Sequence, residues 1–210
     1  MFDSLIKKQI ELSKKIIEFD CFEKLEYVAG VDVHYFKDKI VVGYALVSYY
    51  DNQLVETRTE IFDKLKDLEY KSGFFCFYEG PYIVRFLKKI KKPDVLLIDG
   101  HGVAHPRKMG LASYVGVVCD IPTIGCAKNL LYGNYEGPLV DPVRGSFVKV
   151  TNGKKVIAYA LRTKDNVKEI IISVGHRISL ETAKEVVLKL CKLRIPQPLR
   201  IAHLLAKSFK

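Results

Sequence analysis

Leu5, Ile6, Ile10, Leu12, Ser13, Ile16, Ile17 and Phe19 recur on an approximate helical period with lysines mostly opposite, and Asp3 or Ser4 can cap the start. This spacing predicts an amphipathic first helix packed on a sheet. Three runs rich in β-branched and aromatic residues follow at 27–35, 39–50 and 53–61. Asp38 with Lys39 and Asp51 with Asn52 supply the turns between them, which predicts an antiparallel meander. Pro81 suits the first turn of a helix with the stripe Ile83, Leu87 and Ile90, so Glu79 is expected just ahead of it, where the helix dipole favours a carboxylate. The run 94–98, DVLLI, lies between Pro93 and the glycines Gly100 and Gly102 and reads as a buried strand. A short helix at 111–118 and a strand at 120–126 come next. Asn152 and Gly153 mark a hairpin between 145–150 and 155–162, and a strand at 169–174 ends at Gly175, His176 and Arg177. Ser179 can cap a helix with Ala183, Val186, Val187, Leu190 and Cys191 on one face, and a last helix begins near Pro198. The sum is an α/β chain with a mixed central sheet, an antiparallel meander and flanking helices, in one domain over residues 1–210.

Composition narrows the classes. Hydrophobic residues make up 49% of the 210, yet no apolar run approaches the roughly 20 residues a membrane span requires, so a soluble chain is expected. Lys7, Lys8, Lys14 and Lys15 interrupt the first apolar stripe, which argues against a signal peptide and for the cytoplasm. The five cysteines are odd in number and form no CxxC pair, against both a disulfide framework and a zinc knuckle. A net charge of +10 favours a polyanionic partner, nucleic acid before an acidic membrane.

Three acids stand at element ends or in strand cores. Asp99 closes the 94–98 run ahead of a glycine-rich loop carrying His101 and His105, where open α/β sheets place ligand chemistry. Asp32 is flanked by Val31 and Val33, and a carboxylate there is costly to bury without a cation or hydrogen-bond donors. Glu79 is the third. Each also has a plain reading: a turn cap for Asp99, a solvent-facing position for Asp32, a dipole contact for Glu79. Lys128, His105 and His176 fall at comparable loop positions. Mg²⁺ prefers carboxylate oxygens and keeps several waters, so such a set can activate water for displacement at phosphorus, with Lys128 neutralising phosphate charge and a histidine shuttling a proton. The order of the acids, with meander, helix and parallel strands between them, suggests a ribonuclease H-like arrangement. Competing motifs fail. A dinucleotide fingerprint would put glycine where His105 stands, a zincin helix is incompatible with Gly102 and Pro106 between and after the histidines, and GxSxG is absent.

The run DGHGVAHPRKMGLASYVGVVCDIPTIGCAKNLLYG, with VAGVDVHY upstream and SVGHRISLETA and PQPLRIAHLL downstream, closely resembles endonuclease V, the deoxyinosine-directed repair nuclease. The resemblance covers essentially the whole chain. It implies a ribonuclease H-like fold and Mg²⁺-dependent cleavage, with Mn²⁺ an accepted substitute, at the second phosphodiester 3′ to the lesion, leaving 3′-hydroxyl and 5′-phosphate ends. Carried over by motif, the metal-binding aspartates match Asp32 and Asp99, and the catalytic glutamate, also placed at the metal, matches Glu79. The AHP histidine matches His105, the lysine after the small-residue turn Lys128, and the GHR histidine His176. The base is expected to leave the stack for a tight pocket lined by Gly73, Gly100 and Gly102, with Arg107 and Lys108 on phosphate. One segment departs from the family. Where it carries a PYIPG wedge this chain has EYKSG, keeping Tyr70 and Gly73 but losing both prolines and the isoleucine, which implies that Tyr70 still stacks into the gap with weaker discrimination between lesions. The expected partner is deoxyinosine-containing DNA, bound by a monomer. Inosine-containing RNA and a catalytically silent nucleic-acid binder are the alternatives.

Overall fold

The computed structural model describes residues 2–64 and 71–208. Helix α1 (Phe2–Ser13) leads into β1 (Tyr27–Phe36), β2 (Lys39–Ser48) and β3 (Leu54–Asp63), which pair antiparallel in succession. Lys37 and Asn52 take left-handed backbone angles in the two turns, and the Asp51 carboxylate accepts the Gln53 amide at 3.1 Å. Helix α2 (Phe75–Leu87) crosses to β4 (Val95–Ile98), and α3 (Leu111–Cys119) crosses to β5 (Thr123–Ala127). Both β4 and β5 belong to a parallel centre, β1 beside β4 and β4 beside β5. The remaining strands, β6 (Asn134–Tyr135), β7 (Phe147–Asn152), β8 (Lys155–Leu161) and β9 (Ile170–His176), pair antiparallel, and β9 joins the centre antiparallel to β5. Helices α4 (Leu180–Leu190) and α5 (Gln197–Ser208) complete the chain. The nine strands run β3-β2-β1-β4-β5-β9-β8-β7-β6.

Strand periodicity divides the core. Ala29, Val31, Leu96 and Ile98 bury against Ile83, Phe86, Ala112 and Val115 of α2 and α3. Their alternates Val28, Val95 and Leu97 bury with Ala183, Val186, Val187 and Leu190 of α4 and Leu199 of α5. A central strand covered on both faces has no polar side, which is why 94–98 reads as continuous apolar sequence.

Several predicted boundaries move, β5 starting at Thr123 and β7 at Phe147, and two shifts matter most. Helix α1 stops at Ser13, so Ile16, Ile17 and Phe19 lie beyond it, and its one fully buried residue is polar, Gln9. Helix α2 begins at Phe75, which puts Pro81 inside it and Glu79 within the helix rather than ahead of it. Burial of Phe74, Cys76 and Phe77 drives the early start, and the proline removes only one intrahelical amide donor.

Candidate active site

The β1–β4 register sets Val31 opposite Ile98, so the next residues lie side by side, Asp32 inside β1 and Asp99 just past the end of β4. Neighbouring strands lie about 4.8 Å apart, close enough for two carboxylates to repel. On the other flank Gly125 of β5 stands opposite Ile98, and Lys128 comes off the end of that strand. Its Nζ donates to Asp99 Oδ2 at 2.6 Å. Glu79 approaches from α2, only 5% exposed. Asp32, Glu79, Asp99, His101, Lys128 and His203 all line one cleft.

The charges in the cleft are poorly compensated. Burial, reinforced by the Asp32 and Asp99 charges, holds the Glu79 carboxyl well above the usual range, against the opposing pull of a hydrogen bond from Tyr35. Asp32 is raised for the same two reasons, burial and then Asp99, while its contact with His203 acts the other way. Burial works against the Lys128 ammonium, but the hydrogen bond and charge of Asp99 outweigh it and raise the pKa overall.

His203 was not among the residues singled out from sequence. Its Nδ1 lies 2.7 Å from Asp32 Oδ2. The last helix reaches Asp32 because two strand glycines let its backbone lie directly on the sheet. A Cβ at Gly30 would sit 2.3 Å from the Pro198 carbonyl carbon, and one at Gly43 would sit 2.1 Å from the Ala202 oxygen. Glycine inside a strand often marks such an approach, and Gly30, Gly43 and the alanines of IAHLLA were the available signal.

His176 lies apart from the acidic cleft. It was expected at a loop position comparable to the acids, but β9 runs antiparallel to β5, and His176 pairs with Thr123 at the start of β5. It therefore sits at the opposite end of the sheet from Lys128. There Nδ1 accepts the Ile17 amide at 3.2 Å and Nε2 faces Asp120 Oδ1 at 3.4 Å, so the ring joins the segment after α1 to the end of α3.

The small-molecule contacts expected of the loop also divide. Gly100 lines the acidic cleft. Gly73 and His105 line a smaller adjoining cavity with Cys76, Met109 and Leu111, and His101 borders both spaces. Gly102 is a packing glycine instead, since a Cβ there would lie 1.9 Å from the Val174 oxygen. His105 does not line the cleft as a free proton shuttle. Its Nε2 donates to the Gly73 carbonyl at 3.0 Å and its Nδ1 accepts the Arg107 amide at 3.2 Å. Burial, then the Arg107 charge, pushes its pKa down to about 4. Arg107 is committed as well: Nη2 donates to the Gly73 carbonyl at 2.7 Å, and the guanidinium lies 4.7 Å from the centre of the Phe74 ring. Lys108 is exposed beside it, in a left-handed conformation. Tyr70 falls outside the described residues.

Arg194 supports the lysine from behind. One nitrogen donates to the Lys128 and Glu169 carbonyls at 3.0 Å each, and Nε donates to the Lys168 carbonyl at 2.9 Å. The start of β9 and the end of β5 are thereby tied at the residue that pairs with Asp99.

A hard dication fits this donor set. The Asp99 charge raises the proton affinity of Asp32, the Asp32 and Asp99 charges raise that of the buried Glu79, and a cation relieves that repulsion. Among the described residues no three His, Cys, Asp or Glu side chains close on one point as they stand. A shell of one or two carboxylates filled out by water does not require such closure.

A mixed sheet with a parallel centre, opening an acid-lined cleft in a strongly basic chain, defines a nuclease of the ribonuclease H-like fold. The endonuclease V family profile matches residues 10–204, and the chain belongs to that family. It is 44% identical to endonuclease V of Dictyoglomus turgidum over 208 residues, 98% of this chain and 90% of the relative. The crystal structure of human ENDOV superposes with a TM-score of 0.90 at 28% identity, covering 99% of this chain and 97% of the human one. Ciona intestinalis endonuclease V, solved with a 24mer DNA containing an inosine followed by a ribo-adenosine, gives a TM-score of 0.85 at 32% identity, covering 99% and 96%. Nucleases of this family depend on a metal ion.

Proposed function

We propose that this nuclease nicks DNA at the second phosphodiester 3′ to a deoxyinosine, leaving 3′-hydroxyl and 5′-phosphate ends. The observation that carries the reading is the convergence of Asp32, Glu79 and Asp99 from β1, α2 and β4 on one cleft beside Lys128. Asp32 and Asp99 would hold Mg²⁺, with Mn²⁺ an accepted substitute, and Glu79 would complete the acidic wall. When bound, the ion supplies an acidified water and neutralises charge at the scissile phosphate. Lys128 adds positive charge where phosphate oxygens gather. His203 fixes the orientation of the Asp32 carboxylate, as partners of ligating groups commonly do. In the hydrolysis the water oxygen bonds to phosphorus, the bond from phosphorus to O3′ breaks, and a proton passes to O3′. An extruded hypoxanthine would enter at Gly73 and His105, where the cavity is about 30 Å³ and has to widen to take a purine; extrusion costs a few kcal/mol, which weak base pairing reduces.

The test is a nicking assay on a single-inosine duplex with Mg²⁺, with Ca²⁺ as comparison and Asp99→Asn as control. One 3′-displaced nick in the parent and none in the variant is the expected outcome. Binding without nicking in Mg²⁺ would instead indicate a silent binder. The Ciona relative was solved on a strand with a ribose after the inosine, so an inosine-containing RNA belongs in the same assay. Faster cleavage of that RNA would move the reading to an endoribonuclease.

A further inference from the structure

Helix α1 is amphipathic, yet its one fully buried side chain is Gln9, at 0% exposure. Burying an amide is favourable only when its hydrogen bonds are made, and here they are. Nε2 donates to the Gly73 carbonyl at 3.0 Å and to the Met109 carbonyl at 3.2 Å, with Cys76 Sγ at 3.3 Å. Oε1 accepts from Arg107 Nε. The Gly73 carbonyl in turn receives Gln9, His105 and Arg107 together. Gly73 takes a φ of +82°, which glycine adopts without strain, and a Cβ there would lie 3.1 Å from the Arg107 guanidinium and press on the donor cluster. One amide therefore joins three separate stretches of chain around the cavity that Gly73, His105 and Met109 line.

We propose that Gln9 is a positioning residue for base recognition, anchoring Gly73 and the His105 loop as one wall of a cavity that is about 30 Å³ in the free protein and widens when the base enters. It does so without touching the acidic cleft, which has no α1 residue in its lining. The inference rests on the reading of the smaller cavity as the base site. Its consequence is selective: loosening the knot should weaken capture of the base while the hydrolytic groups keep their places.

Gln9→Met removes both donors and the acceptor. Gln9→Glu removes the donors but keeps an oxygen for Arg107, so it retains a charged partner that supports folding. Steady-state nicking of an inosine strand and a matched adenine strand, with thermal melts of each protein, provides the test. Gln9→Met is expected to raise KM on the inosine strand about tenfold with kcat within about twofold, and to narrow the preference for inosine over adenine; Gln9→Glu should fall between it and the parent. An unchanged KM and preference overturns the inference, as does a fall in kcat alone that tracks the folded fraction. Melting of both variants below the assay temperature makes Gln9 a folding residue and also overturns it. A parent that ignores inosine overturns the functional reading itself, and the inference with it.

Discussion

At His176 both ring nitrogens are engaged inside the fold, by the Ile17 amide and by Asp120, whereas His203 stands against Asp32 at the cleft. The two residues should therefore separate stability from activity. His176→Ala is expected to cost about 1–3 kcal/mol by emptying the space of a buried ring and freeing the half-buried Ile17 amide, lowering Tm by roughly 2–4 °C per kcal/mol with kcat within about twofold. His203→Ala should leave Tm near the parent value and lower kcat by about 10–100-fold, the size of effect seen when the partner of a metal-holding group is lost. Melting curves and steady-state rates on the same preparations check both. His105 gives a pH signature. Its folded pKa is depressed from 6.5 to about 4, chiefly by burial, so the unfolded chain binds the extra proton first. Its contribution to stability is whole above about 6.5 and is lost as pH falls toward about 4. Denaturant titrations should show that slope in the parent and a shallower one in His105→Gln; equal slopes would count against it. At this scale Asp32, Glu79, Asp99 and Lys128 were legible because a charged group in or just after an apolar run is conspicuous. Gln9 and His203 were not, because a glutamine or histidine on an amphipathic helix looks like any surface residue.

Among the elements, α5 carries the most consequence. Its contact with β1 and β2 depends on the missing side chains at Gly30 and Gly43, and it delivers His203 to Asp32. Gly43→Ala places a methyl 2.1 Å from the Ala202 oxygen, a clash with backbone that no rotamer can relieve. The expected result is a loss of roughly 1–3 kcal/mol in unfolding free energy together with loss of activity as the helix is displaced from the sheet. Calorimetry and nicking rates measure the two losses; full activity with an unchanged Tm would refute the account. Hairpins and helix caps were readable beforehand because their signals are local. The Asn152–Lys155 pairing around Gly153 and the Ser179 hydroxyl accepting the Thr182 amide at 3.1 Å both follow from residues within a few positions. The start of α2 was misplaced because Pro81 is a strong local sign for a first turn, and burial of Phe74, Cys76 and Phe77 overrode it.

The molecule as a whole carries +10 net charge around a cleft of carboxylates. The surface can gather a polyanion while the acids reserve a small space for a cation, and the two effects should respond differently to salt. Each phosphate neutralised by Lys or Arg releases counterions, so affinity for a DNA duplex should fall by roughly tenfold or more between about 50 and 200 mM salt. Binding isotherms across that range test it, and a flat response would mean that the surface lysines do not meet the phosphates. The described residues include no helix long and apolar enough to cross a membrane.

The sequence determined the α/β class, most strand and helix positions, the three acids and Lys128, because each is written in a local pattern of burial, turn chemistry or charge. Tertiary structure decided which of these groups meet. The parallel register of β1 and β4 sets Asp32 beside Asp99, the antiparallel course of β9 carries His176 to the far end of the sheet, and two glycines admit α5 so that His203 reaches the cleft. Strand direction and close backbone approach arise from pairings between residues far apart in the chain, and no run of neighbouring residues encodes them.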